Sequence, residues 1–471
     1  MAARLTPVSW EFLAGFMGVS IVVGLLAGFD PKFAIAASIG IGFVLIVFAD
    51  LTAGLALFGF FSFLELLNLG SVISVGKLGG ALLALGWIAF VLTRQNAKSD
   101  FTAVYPGASL ILGLFLGWVA LSALWAESTG QVMGSFTRYL LNVILFMIVF
   151  TAVRTKRQAI IVISGFLAGA AAAAFYGQFI STETTSVYGG RLTGAGLDPN
   201  ELASVLVAGI ALSAGLAISM KGKPAARLAA VGAGGLCFFT AMFTGSRGGL
   251  LALAAMVVAA ILFGGRWRGR AAVAGLAVGV VAAFYIFALA PPAVRDHVLQ
   301  SSQGETRNPE LRTTLWQIGG RMFRAHPVIG VGADNFQVSS RHYLNQPGTV
   351  YNAEVVVSQR PDVTHNTYLQ TAIELGIVGI TLFGSIIVFS LASSLRGARN
   401  FRDRGDIGGE ALARSVMIAL IGVVVADIFI SQQYNKQLWL LLGIGPAMLA
   451  ISKRSDAEDD PQRPRAAQSS S

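Results

Sequence analysis

The chain has 471 residues, of which 55% are hydrophobic and only 12% charged, with a mean hydropathy of +0.69. Apolar runs of membrane-spanning length recur along it, so it reads as a polytopic integral membrane protein. The net charge of +10 does not point to nucleic acid. The basic residues cluster in every second short connection, at Arg94/Lys98, Arg154/Lys156/Arg157, Lys221/Lys223/Arg227, Arg266/Arg268/Arg270 and Arg396/Arg399/Arg402/Arg404, as the positive-inside rule requires of cytoplasmic loops.

The first apolar run, residues 8–28, lacks a small-residue cleavage site and reads as a retained helix. From there the alternation predicts an all-α fold of about fourteen (12–14) spans with both termini cytoplasmic. Their centres fall near Val19, Gly42, Phe61, Leu85, Leu114, Ile144, Leu167, Val207, Gly235, Ala255, Val280, Leu382, Leu420 and Leu442. Only Asp50-Leu51-Thr52 separates the second span from the third, which leaves open a merged or re-entrant pair. The chain divides into an N-terminal bundle (1–180), a first outer loop (181–200), central helices (201–290), a large outer loop (291–366), C-terminal helices (367–452) and a polar tail (453–471) of disordered composition. The single cysteine, Cys237, excludes an intrachain disulfide framework.

The first outer loop ends in Leu197-Asp198-Pro199-Asn200-Glu201, a turn followed by a helix start. The large loop is too long for a simple connection. Within it Asn308-Pro309-Glu310 opens a helix in which Leu311, Leu315, Ile318 and Met322 recur at helical spacing, to a stop at His326-Pro327. With Trp316, Phe323, Arg312, Arg321 and Arg324 also present, this amphipathic helix is expected to lie along the outer membrane/water interface.

Charged groups near membrane depth are costly, so their placement is informative. Glu65, Arg138, Arg191, Arg247, His365, Glu374 and Asp427 fall in the outward halves or at the outer ends of helices, nearly all on one side, which favours one outward-facing cavity over an ion path. Thr244-Gly245-Ser246-Arg247-Gly248-Gly249 sets an arginine on a small-residue turn. Glycines let backbone N–H groups approach a ligand, and a guanidinium grips phosphate oxygens bidentately. The competing reading is a tight helical hairpin whose arginine reaches lipid headgroups. Tyr188-Gly189-Gly190-Arg191-Leu192-Thr193-Gly194 repeats the theme, and Arg191, Arg247 and Arg312 converging from three elements would suit a diphosphate.

His365 stands at the start of an apolar helix, directly after the large loop. Asn366, Gln370 and Glu374 share one helical face behind it, a stripe expected to face a bundle interior or a wet cavity. A neutral imidazole there can accept a hydroxyl proton; the alternative is an interfacial histidine that caps the helix. His297, His326 and His342 lack metal-ligand spacing and the outer loops lack an acidic cluster, so neither a metal nor another cofactor is indicated.

These residues resemble the O-antigen ligase/polymerase superfamily of bacterial membrane glycosyltransferases. His365, Asn366, Gly376 and Gly379 match its spacing of His, a polar residue and two glycines. Thr244 to Leu251 resembles the start of the shared domain, and Arg312 to Trp316, Pro327-Val328-Ile329-Gly330-Val331-Gly332 and Phe336 resemble its large periplasmic loop.

The resemblance implies a GT-C-like helical fold in the bacterial inner membrane. It also implies metal-independent, inverting transfer of a glycan from undecaprenyl-diphosphate to an acceptor hydroxyl at the periplasmic face. His365 would be the base, Arg191, Arg247 and Arg312 would hold the diphosphate, and Asn366, Gln370, Glu374 and Arg138 would support them. The acceptor would be lipid A-core for a ligase, or a growing glycan for a Wzy-type O-antigen or exopolysaccharide polymerase. A protein O-oligosaccharyltransferase is a further variant. A lipid-linked oligosaccharide flippase would need a charged path and repeated halves, and neither is visible.

Overall fold

The computed structural model of the chain describes residues 10–29, 31–64, 75–93, 100–181, 191–299, 308–344, 346 and 363–454. Among these residues the regular structure is helical, without a strand. The N-terminal helices are α1 Trp10–Phe29, α2 Pro31–Ala49, α3 Leu51–Phe61, α4 Val75–Thr93, α5 Phe101–Val104, α6 Pro106–Leu121, α7 Thr129–Ala152 and α8 Lys156–Phe175. Next come α9 Pro199–Ser219, α10 Pro224–Phe243, α11 Arg247–Phe263 and α12 Arg268–Phe284. The large loop holds α13 Pro292–Leu299, α14 Asn308–Ala325 and α15 Phe336–Leu344, and α16 Thr367–Asp403, α17 Ile407–Ala426 and α18 Lys436–Lys453 complete the fold. Glu65, the 68–74 turn, Arg94, Lys98, Tyr188 with its two glycines, and the tail after Arg454 lie outside the described residues.

Every span centre read from the sequence falls on one of these helices. Eight helical stretches among the described residues are long and apolar enough to cross a membrane: Pro106–Leu124, Thr129–Ala152, Lys156–Ile180, Pro199–Ser219, Pro224–Phe243, Gly265–Leu289, Thr367–Asp403 and Ile407–Ala426. The chain is therefore a polytopic α-helical membrane protein. α3, with 11 residues, is shorter than the other helices on which span centres fall; at about 1.5 Å per residue it covers roughly half a bilayer core. Its separation from α2 is fixed by Asp50, whose carboxylate accepts from Thr52 N at 2.8 Å and Ala53 N at 3.3 Å and so caps α3.

Burial sorts the helices. The apolar stretches of α9 and α17 are 78% and 83% buried, whereas that of α12 is 6% buried. Every residue of α18 from Gln437 to Leu449 is buried. Close approach is possible there because Gly445 faces Ser390 O, where a Cβ would sit 2.6 Å away. Pro446 lies one turn after Leu442 and has no N–H to give its carbonyl. The Ser390 hydroxyl of α16 donates to Leu442 O instead.

The basic end of the bundle is tied together by Lys156–Asp406 (2.8 Å) and Arg266–Glu410 (2.8 Å), and within α17 Arg414 also pairs with Glu410 (2.9 Å). At the opposite end the large loop is fastened to the α6–α7 connection. Asn335, fully buried, accepts from Ser128 N at 2.7 Å and donates to Ser128 O at 3.2 Å. Glu127 accepts from Ser339 Oγ at 2.9 Å and meets His342 Nε2 at 3.1 Å. The His342 bond holds the Glu127 carboxyl below its usual range.

Two predictions follow the geometry. Ser390→Ala strands a buried carbonyl and lowers unfolding free energy by about 1–3 kcal/mol, measurable by denaturation in detergent; an unchanged midpoint would contradict the pairing. A depressed folded-state pKa gives a contribution that is present above the ordinary glutamate range of about 4.3 and lost as pH falls through the folded value. Glu127→Gln is therefore less heat-stable than wild type at neutral pH, and the gap closes below about pH 4. A gap of constant size across that range would contradict the Glu127 assignment.

Candidate active site

α14 does not lie with its apolar stripe on the membrane surface, as its amphipathic pattern alone suggests. Leu315, Ile318 and Met322 form a second apolar core with Val331, Phe336 and Ile373, each at most 7% exposed. The stripe is thus covered by α15, α16 and the loop between α14 and α15.

That loop is threaded through a break in α16. Gly376 has φ 67° and ψ −168°, outside the helical region. Around it the loop replaces helical partners: Val331 N donates to Ile373 O (3.0 Å), Gly332 N to Glu374 O (2.8 Å) and Ile377 N to Pro327 O (2.9 Å). A Cβ on Gly376 would lie 2.1 Å from Val328 O, and one on Gly330 2.3 Å from Glu374 O. Gly376 and Gly330 are thus places where two backbones touch.

His365 occupies the turn before α16 with φ 51°, a left-handed conformation that costs a non-glycine residue on the order of 1–2 kcal/mol. The turn is held by its neighbours. Asn366 N donates to Ser431 Oγ (3.2 Å), Thr367 N to Asp427 O (2.9 Å) and Ile430 O (3.0 Å), and Thr367 Oγ1 to Ile430 O (2.8 Å). Gln432 N returns a bond to Thr367 Oγ1 at 2.8 Å. On the loop side Trp316 Nε1 donates to Thr364 O at 2.8 Å. Asp427, at the end of α17, is fully buried, and its carboxylate oxygens have no hydrogen-bond partner among the described residues.

The expected polar stripe behind His365 separates into different roles. Asn366 Oδ1 accepts from Tyr368 N and Leu369 N and caps α16. Gln370 and Glu374 are 2% exposed and bonded to each other at 3.0 Å, so they line a buried network and not a wet cavity. Separately, the exposed Arg138 is ion-paired with Asp334 and lies 4.2 Å from the Tyr434 ring centroid, and Ser135 is 2.6 Å from the Tyr434 hydroxyl. Burial pushes the Asp334 carboxyl above its usual range against the opposing pull of Arg138.

Arg191 and Arg312 each bear on the turn that carries Arg247. Arg191 is buried; its Nε donates to Thr244 O (2.9 Å) and Nη2 to Asn200 Oδ1 (3.0 Å). Asn200 Oδ1 also accepts from Ser246 Oγ (2.8 Å), whose oxygen caps α11 at Gly249 N (3.1 Å). Arg191 therefore braces the turn from which Arg247 starts α11. Arg312 on α14 feels both Asp198 and Arg247; burial, together with the like charge of Arg247, lowers its pKa from the usual arginine value. Gly248 abuts Phe429, where a Cβ would meet Phe429 Cβ at 2.9 Å. The α17–α18 connection thus touches the Arg247 turn on one side and holds the His365 turn on the other.

Spacing did not single out Asn200, Ser246, Thr367 or Ser431. Asn200 and Ser246 adjoin features visible in sequence, but Ser431 is 65 residues from its partner Asn366 and carries no local signal. The side chain of His297 lies outside the described residues. His326 and His342 pair with Tyr343 (2.9 Å) and Glu127 (3.1 Å) in the loop. Among the described residues, no three His, Cys, Asp or Glu side chains gather to hold a metal ion.

Residues 232–384 match the family model Wzy_C, described as O-antigen ligase. The match runs from within α10 to within α16 and contains Arg247, Arg312, His365 and Gly376, but not Arg191 or the α17–α18 connection. No curated protein matches the chain. Over residues 232–384 the chain is thus similar to the O-antigen ligase family, which supports the resemblance drawn from its motifs.

Proposed function

We propose that the protein is a ligase-type glycosyltransferase of the bacterial inner membrane. It moves a glycan from undecaprenyl-diphosphate to a hydroxyl of lipid A-core at the periplasmic face. The observation that carries this reading is the meeting of the Arg247 turn and the strained His365 turn on one short connection. Arg312 feels the like charge of Arg247, an arrangement that an anion between them relieves.

In the reaction the acceptor oxygen attacks the anomeric carbon from the face opposite the diphosphate, and the bond from that carbon to the phosphate oxygen breaks, inverting the centre. His365 takes the hydroxyl proton, and the departing diphosphate keeps the bonding electrons. Arg247 and Arg312 bind its oxygens, supplying fixed positive charge where negative charge develops. Arg191, with two donors committed to Thr244 and Asn200, sets the turn and contributes charge at short range. The Glu374 network supports the α16 end of the site.

His365→Ala abolishes transfer while the protein remains inserted at wild-type abundance; normal glycan transfer in that variant would remove His365 from the chemistry. Arg247→Lys keeps the charge but loses the bidentate fork. It lowers turnover at saturating donor by about 10²-fold, and unaltered turnover would rule out diphosphate clamping. A chelator leaves transfer unchanged. Gene deletion, read on lipopolysaccharide and lipid-linked glycan gels, separates the two acceptors. Naked core with accumulating lipid-linked chains marks a ligase, and core capped by one repeat unit marks a polymerase.

A further inference from the structure

One loop helix reaches both halves of the site. Arg312 of α14 lies within electrostatic reach of Arg247 and Asp198. Four residues later Trp316 donates its indole N–H to Thr364 O at 2.8 Å. Residues at this spacing share a helix face, so α14 connects the arginine cluster to the peptide immediately before His365.

The bond acts where aim matters. Thr364 is fully buried, and its hydroxyl closes the turn by donating to Asn366 O at 3.0 Å. His365 within that turn keeps φ 51°, a conformation that persists in a non-glycine residue only when surroundings over-determine it. Asn366 and Thr367 are fixed from the bundle side by Ser431, Asp427 and Ile430. The Thr364 carbonyl is fixed from the loop side by Trp316. Trp316 is 38% exposed and is not among the residues that make up the loop core, so its indole N–H is separable from the folding of the loop.

We propose that Trp316 is a positioning residue, whose bond to Thr364 O aims the His365 imidazole. The proposal rests on the reading of His365 as the base. No proton or bond is exchanged at Trp316.

The test uses the full-length protein in lipid nanodiscs, with lipid-linked glycan as donor and core lipopolysaccharide as acceptor. Wild type, His365→Ala and Trp316→Phe are compared, and undecaprenyl diphosphate is titrated to count competent sites. Trp316→Phe keeps the aromatic bulk and removes the donor. The expected result is a kcat lowered about ten- to a hundredfold, with donor KM and the number of undecaprenyl diphosphate sites per chain unchanged. Wild-type kcat in Trp316→Phe overturns the proposal, as does a loss of binding sites in proportion to the loss of rate, which marks a purely structural role. If His365→Ala retains wild-type transfer, the reading of His365 fails whatever Trp316 does.

Discussion

The hydrogen-bonded seam between Asn366-Thr367 and the α17–α18 connection is the constraint on which the site depends. Thr367 is fully buried, its N–H meets both Asp427 O and Ile430 O, and its hydroxyl is donor to Ile430 and acceptor from Gln432. Satisfying these groups inside a bundle is obligatory, because an unpaired buried polar group costs about 1–3 kcal/mol. The seam leaves the preceding residue, His365, no extended alternative, and its left-handed turn follows. The same connection carries Phe429 onto Gly248 and Tyr434 onto Ser135 and Arg138. One stretch of backbone thereby fixes the relation of α7, α11 and α16.

The break at Gly376 has a complementary role. A continuous helix would bond Ile373, Glu374 and their neighbours to their own later turns. Instead those carbonyls accept from the large loop at Val331 and Gly332, which anchors the loop core of Leu315, Ile318, Met322 and Phe336 on α16. Non-helical backbone is tolerated in a membrane bundle where protein buries it and satisfies its polar groups. The loop is consequently part of the site's wall. α14 presents Arg312 to the arginine turn and Trp316 to the histidine turn from that fixed position.

Charge is organised by the two ends. At the basic end Arg154, Lys156, Arg266 and Arg414 each have carboxylate partners in Asp100, Asp406 and Glu410, which fastens helices without creating a strong field. At the other end Arg138 is matched by Asp334, while Arg312 is placed near a like charge as well as near Asp198.

The helices themselves were legible in the sequence, since long apolar runs and loop charge are local properties that no distant contact overrides in a bilayer. His365, Arg247 and the motif glycines also stand out in the sequence, because their residue types are conspicuous at a helix boundary. Tertiary structure alone decided what the neighbouring residues contact. The pattern of Leu315, Ile318 and Met322 is the same whether the stripe meets lipid or protein, and only the placement of Ile373 and Phe336 settles it. Asn366, Gln370 and Glu374 share a helix face, yet the first is drawn to the free N–H groups of its own helix end and the others to each other. Arg191 is bound to Thr244 and Asn200, and Asn366 to Ser431, across 53, 9 and 65 residues. Such partnerships depend on which helix ends abut, and a one-dimensional period contains no record of that.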